Sequence, residues 1–366
     1  MPSDDPGQLL LIGIPGKELT PEFARMIRAV RPGGFILFGR NIADPVQLRR
    51  LLDDLRDASD VEPILTIDQE GGRVSRLRLL GSEPPSASQL CDAGQSQLIS
   101  VHGELTAKIL RLFGFNLDLC PVLDICFDEN ADNSLRGRCY GKTPEQVITN
   151  ARLFNDALRA GGILSCGKHF PGYSRVGLDP HHELPLVNLS WQEIDGCELA
   201  VFKNFSPELD SMMIGHVQVP ALDPSGRPAS LSPKIIHELL RSELGFEGLV
   251  MTDDLDMGAL LNHFSFEKII RLGQEAGSDL LMLCHRVELA GMARSILETT
   301  SAQLLEPALS RVANFKSNMQ PPSKFSVDDF LEIDKKIYEL RVAVLGPELA
   351  AIPSPEDGKR SPVELY

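Results

Sequence analysis

Short apolar runs rich in Leu, Ile, Val and Met recur along the chain at 9–14, 34–38, 63–67, 117–125, 163–166, 211–214, 249–252 and 279–284. Each is bounded by turn residues and followed by a stretch mixing apolar and charged positions at helical spacing: 21–30, 45–55, 95–112, 144–160, 191–202, 233–244, 266–276 and 287–298. The runs are continuous rather than alternating. They therefore predict strands covered on both faces, as in a parallel sheet whose crossovers are helices. Eight such units close a barrel. An open doubly wound sheet would carry a glycine-rich phosphate fingerprint after its first strand, and none follows 9–14. The expected fold is α/β, a (β/α)8 TIM-type barrel. Pro321-Pro322-Ser323 interrupts the pattern; helical spacing returns over 327–344, and 352–366 holds Pro353, Pro355, Gly358 and Pro362. The expected organisation is one barrel domain over 1–320 and a C-terminal helix with an irregular tail over 321–366.

Composition narrows the class of partner. The 366 residues hold 36 Lys+Arg against 51 Asp+Glu, a formal charge of −15, which repels phosphate backbones and argues against nucleic acid or an anionic membrane as partner. Seven cysteines are scattered without a Cys-x-x-Cys pair, which reads as reduced thiols. The opening Met1-Pro2-Ser3-Asp4-Asp5 has no basic region and no long apolar stretch after it, so the expected location is the cytoplasm.

In a barrel of this type chemistry gathers where the strands end. Ionisable residues fall there on six of the eight runs: Asp68, Asp124, Lys168-His169, His216, Asp253-Asp254 and His285. After the fifth run comes Lys168-His169-Phe170-Pro171-Gly172, then Asp179-Pro180-His181-His182. A carboxylate two residues before a histidine can orient it as a proton shuttle near neutral pH. Two other readings stay open at this point: Asp179 as a turn cap beside exposed histidines, and a metal site of Asp179, His181 and His182. Asp253 emerges from the seventh run as a nucleophile or as an electrostatic stabiliser of a cationic transition state. Two adjacent side chains cannot both point the same way from a strand end, so one of Asp253 and Asp254 is expected to be a structural acceptor of loop hydrogen bonds.

Five separated motifs occur in order: Ile67-Asp68-Gln69-Glu70-Gly71-Gly72-Arg73-Val74, Pro121-Val122-Leu123-Asp124, Arg138-Cys139-Tyr140-Gly141, Lys168-His169-Phe170-Pro171-Gly172 with Asp179-x-His181, and Thr252-Asp253-Asp254-Leu255-Asp256-Met257. Together, over about residues 8–290, the chain resembles the family 3 glycoside hydrolases, specifically their single-barrel beta-N-acetylhexosaminidases. The resemblance implies a glycoside hydrolase domain that removes terminal β-linked N-acetylglucosamine with retention. Asp253 matches the nucleophile, His181 the general acid/base and Asp179 its carboxylate partner. Asp68, Arg138, Lys168 and His169 match the residues that hold the sugar hydroxyls, with Lys168 and Arg138 donating and Asp68 accepting. A histidine with a reference pKa of about 6.5 can donate and then accept a proton near neutrality. No metal and no organic cofactor is implied. The expected partner is a small carbohydrate, an N-acetylglucosaminyl fragment such as a muropeptide from peptidoglycan recycling. A phosphorylase, a beta-glucosidase and a catalytically silent sugar-binding barrel are the alternatives. After Phe-Pro-Gly, where the family commonly continues His-Gly, this chain has Tyr173-Ser174.

Overall fold

The computed structural model describes residues 4–129, 134–176 and 183–354. Eight parallel strands close into one barrel: β1 (Leu10–Gly13), β2 (Gly34–Leu37), β3 (Ile64–Ile67), β4 (Leu117–Asp118), β5 (Leu164–Phe170), β6 (Ser211–Ile214), β7 (Leu249–Asp254) and β8 (Leu280–Leu283). Each pairs with its neighbours in sequence, and closure comes from β1 meeting β8, with Leu10 opposite Leu281 and Ile12 opposite Leu283. Every expected run contains one strand, because a segment apolar on both faces is stable only between a packed barrel interior and a layer of helices.

Two runs are shaped by the residues that follow them. In the fourth, regular pairing stops at Asp118. Pro121, which has no N–H to donate, still accepts from Lys168 N (3.1 Å), and the Leu123 amide reaches the Lys168 carbonyl (2.6 Å). In the fifth, the strand runs on to Phe170 and thereby places Lys168 and His169 on the barrel itself.

The helices 21–30, 144–160 and 266–276 occupy the expected spans as Pro21–Val30, Pro144–Ala160 and Phe266–Ala276. Their starts are set by Thr20, Thr143 and Ser265, whose hydroxyls accept an amide of the first turn. The stretch 191–202 is two helices, Trp191–Asp195 and Glu198–Phe205, parted at Gly196. Lys234–Glu243 is π-helical, with the Leu244 amide bonded to Leu239 O. The helix Ala302–Ser317 was not expected; Pro307 inside it masks the periodicity by which Leu305, Ala308, Val312 and Phe315 turn to the core.

Past the Pro321-Pro322 break, helix Val327–Leu345 lies against helix Ser96–Phe113, with the rings of Phe325 and Phe330 at 6.0 and 5.8 Å from Phe113. The buried Arg341 guanidinium holds it there through Glu83 (2.8 Å) and the carbonyls of Ala350 and Ile352. Among the described residues no helix is long and apolar enough to cross a membrane.

One buried group gives the fold a pH response. His102 in helix Ser96–Phe113 is 1% exposed, packs on Phe154 at 5.2 Å, and has no hydrogen-bond partner on either ring nitrogen among the described residues. Burial lowers its pKa from 6.5 to about 4. The unfolded chain takes up this proton near pH 6.5 and the folded one only near 4. The stability due to a neutral His102 is therefore complete above 6.5 and falls by roughly 3 kcal/mol as pH drops through that window. His102→Leu should flatten the dependence of urea midpoint on pH between 6.5 and 4; an unchanged slope would show that the imidazole is not buried neutral.

Candidate active site

The C-terminal ends of the strands surround a pocket of roughly 630 Å³, counting the space open to solvent. Its polar lining is Asp68, Arg76, Arg138, Lys168, His169, Tyr173, Asp253, Asp254 and His285. Five of the residues expected from the sequence, Asp68, Arg138, Lys168, His169 and Asp253, thus come together from separate stretches of chain. Asp179 and His181, like His182, lie outside the described residues.

The floor is built by a short hairpin after β3, in which Gln69–Gly71 pairs with Val74–Ser75. In an extended segment alternate side chains share a face. Asp68 and Glu70 accordingly both reach Lys168, whose Nζ lies 2.6 Å from Asp68 Oδ1 and 2.6 Å from Glu70 Oε1. Gln69, facing the other way, bonds Ser75 Oγ and the Leu77 amide and locks the turn. Glu70 also accepts two bonds of 2.8 Å from Arg138 Nε and Nη2, the planar fork-to-carboxylate pairing that guanidinium favours. Arg76 Nη2 stands 3.5 Å from Asp68 Oδ2.

Electrostatics keep this floor ionised. Burial pushes the Asp68 and Glu70 carboxyls up, but Lys168 and Arg76 beside Asp68, and Arg138 and Lys168 beside Glu70, outweigh it and hold both below the usual carboxylate range. Burial likewise lowers Lys168, and Asp68 and Glu70 more than restore it, so its ammonium stays charged well above neutral pH. Three cations face two carboxylates here, so the strong negative charge of the chain is not concentrated on the floor.

Glu70 is the residue the sequence reading passed over, and it modifies the role expected of Arg138. The guanidinium serves Glu70 through Nε and Nη2 and the Ser134 carbonyl through Nη1 (3.3 Å), leaving two of its five hydrogens for a ligand among the described contacts. Lys168, with two of three ammonium hydrogens engaged, retains one.

His169 is set from behind. Its Nδ1 and its backbone amide both lie on Asp124 Oδ2, at 2.7 and 3.0 Å. A carboxylate only accepts, which places a ring proton on Nδ1. Asp124 is therefore a support rather than a lining residue. So is His216, fully buried between Ser230 Oγ (2.7 Å) and the Asp254 carbonyl (2.8 Å).

Of the adjacent aspartates at the end of β7, Asp254 is the structural acceptor: its Oδ1 takes the amides of Asp256 (3.0 Å) and Cys284 (3.1 Å), joining the loops after β7 and β8. Burial first, and then the Asp256 charge, raise its pKa to about 8. Asp253 is the more exposed of the two, and its Oδ1 accepts the Asp254 amide at 2.8 Å. His285 completes the rim, its Nδ1 3.2 Å from Arg40 Nη1 and its ring 5.5 Å from Phe38. Among the described residues no group of three His, Cys, Asp or Glu side chains could hold a metal ion.

The chain matches known proteins over most of its length. The Glycosyl hydrolase family 3 N terminal domain matches residues 3–315. The Beta-hexosaminidase of Tolumonas auensis is 35% identical over 280 residues, 75% of this chain and 82% of that one. The Beta-hexosaminidase of Pseudomonas aeruginosa strain LESB58 is 32% identical over 316 residues, 86% of this chain and 89% of its own. Among solved structures, a glycoside hydrolase family 3 beta-N-acetylglucosaminidase from Paenibacillus sp. str. FPU-7 superposes with a TM-score of 0.87 at 30% identity, covering 93% of this chain and 68% of that chain. NagZ from Neisseria gonorrhoeae superposes with a TM-score of 0.77 at 26% identity, covering 90% and 97%.

Proposed function

The chain belongs to glycosyl hydrolase family 3 and is an enzyme of its beta-hexosaminidase group, and on that premise we propose that it removes terminal β-linked N-acetylglucosamine from small glycosides with retention of configuration. The observation that carries this reading is that the Asp253 carboxylate shares one pocket with Asp68, Arg138, Lys168 and His169, a ring of fixed donors and acceptors suited to pyranose hydroxyls.

In the proposed reaction Asp253 attacks the anomeric carbon as the bond to the leaving oxygen breaks. The His181 imidazolium, held by Asp179, delivers its proton to that oxygen. The neutral imidazole then takes a proton from water as the hydroxide adds to the anomeric carbon and the Asp253 carboxylate departs. The floor stays ionised throughout, so Lys168 and Arg138 offer hydrogens and Asp68 offers lone pairs at any pH at which His181 can shuttle. The finer parts of the reading are an exo mode, a cytoplasmic location and muropeptide fragments of peptidoglycan recycling as the natural substrate. They draw support from the resemblance to the single-barrel beta-N-acetylhexosaminidases.

Purified protein should release phenol from an aryl N-acetyl-β-glucosaminide, faster than from the aryl glucoside and independently of phosphate. A folded protein that releases none would defeat the hydrolase reading. Preference for the glucoside, or a requirement for phosphate, would replace it with the glucosidase or the phosphorylase. His181→Ala should cost sugar aglycones about 10²- to 10⁴-fold in kcat/KM and aryl glycosides far less, since a phenol leaves with little protonation. Equal losses on both substrates would remove His181 from the acid role.

A further inference from the structure

Tyr173 stands at the foot of the segment that leaves β5, at the position where the chain departs from the commoner histidine. It is 3% exposed and lines the sugar pocket. Its amide donates to Asp124 Oδ1 (2.9 Å), and the other oxygen of that carboxylate holds His169, so one buried acid sets both residues. The two rings meet at 4.8 Å between centroids. Tyr173 Oη lies 3.2 Å from Ser134 Oγ.

Ser134 is an unusual anchor. Its backbone adopts φ 64, a left-handed conformation that is costly for a non-glycine residue and persists where the surroundings impose it. Its carbonyl accepts from Arg73 Nη2 (2.7 Å) and Arg138 Nη1 (3.3 Å). Next to Tyr173, Ser174 Oγ accepts the Ile125 amide at 2.8 Å, so both departures from the family sequence are engaged in fixing this wall. Burial holds the Tyr173 phenol well above the ordinary tyrosine range, and it remains a hydroxyl able to donate.

We propose that Tyr173 is a positioning residue that sets sugar affinity: its ring fixes the plane of the His169 imidazole, and its hydroxyl, through Ser134, fixes the guanidinium of Arg138. The proposal rests on the reading of this pocket as a sugar site. The phenol takes no part in bond making or proton transfer. It helps hold the sugar alike in the ground state and the transition state, and loss of such uniform binding raises KM while sparing kcat.

The test uses the full chain with Tyr173→Phe, Ser134→Ala and the double substitution. KM and kcat are measured on an aryl N-acetyl-β-glucosaminide, the Kd of N-acetylglucosamine by calorimetry, and thermal denaturation alongside. Each single variant should raise KM and Kd about 3- to 10-fold, the worth of one partly buried hydrogen bond, with kcat within about twofold. The double variant should be no worse than either single, because both remove the same link. Unchanged KM and Kd in Tyr173→Phe, a fall confined to kcat, or single effects that multiply in the double variant would overturn the proposal. Should Tyr173→Phe fail to fold, Ser134→Ala carries the same comparison. Wild-type protein that binds N-acetylglucosamine without releasing phenol would end the hydrolase reading alone, and the Kd comparison would still decide the role of Tyr173. Wild-type protein that does not bind the sugar would end both.

Discussion

Asp253→Ala is expected to lower kcat on an aryl N-acetyl-β-glucosaminide by at least about 10³-fold, the scale of loss seen when a covalent nucleophile is removed and only binding and electrostatics remain. The expectation follows from position and chemistry together. Asp253 is the last residue but one of a strand whose preceding residues are buried, and it opens onto the same pocket as the floor network. Asp254, beside it, is already committed to the amides of Asp256 and Cys284 and cannot take over without breaking the junction between two loops. Asp253 Oδ1 also accepts the adjacent Asp254 amide, so thermal denaturation of the variant is measured alongside its turnover. Asp253→Asn keeps that acceptor and the side-chain volume, so it isolates the charge and should be nearly as inactive. Added azide or formate, small enough to enter the space left in the alanine variant, should restore part of the aryl-glycoside turnover and give product of inverted anomeric configuration by NMR. Turnover within tenfold of wild type in Asp253→Ala, with unchanged thermal denaturation, would assign the nucleophile elsewhere.

The barrel was legible because its determinants are local and repeated: eight apolar runs and their following helices each declare themselves within a dozen residues. The rim residues were legible for a related reason, since a strand end fixes where its next side chain lies. What escaped was set by pairing between distant segments. Glu70 looks from the sequence like any acidic residue in a glycine-rich turn. Its role appears only when the hairpin, β5 and the 134–138 segment bring Lys168 and Arg138 to the same two oxygens. Asp124 and His216 read as rim residues because they follow strands, yet each turns away from the pocket to serve a neighbour. Helix Ala302–Ser317 was hidden by Pro307, a residue that disfavours a helix interior and here lies past the first turn.

That contrast makes Glu70 the most consequential residue outside the sugar-binding set expected from sequence. Glu70→Ala removes the carboxylate shared by two buried cations, leaving Arg138, 7% exposed, without its bidentate partner and Lys168, 2% exposed, with Asp68 alone. Breaking a buried pair in this way costs about 3–5 kcal/mol, because the surviving charges keep their desolvation penalty and lose its compensation. Glu70→Gln retains the shape and one acceptor oxygen but not the charge, and should fall between wild type and alanine. The pH dependence follows the same logic. The folded-state pKa of Glu70 lies below its ordinary 4.5, so its contribution is complete above that pH and is lost as acid protonates it in the folded state. Urea denaturation of the three proteins at neutral pH should give midpoints in the order wild type, glutamine, alanine, and the gap should narrow below pH 4. A double-mutant cycle with Arg138→Met should show coupling, since removing the guanidinium as well relieves part of the uncompensated charge. Sugar affinity should fall sharply in Glu70→Ala even in protein that remains folded, as Arg138 loses the carboxylate that aims it and Lys168 loses one of its two. A glutamine variant within about 0.5 kcal/mol of wild type, the range of an ordinary surface substitution, would mean that the floor is held by Asp68 and Arg76 rather than by Glu70.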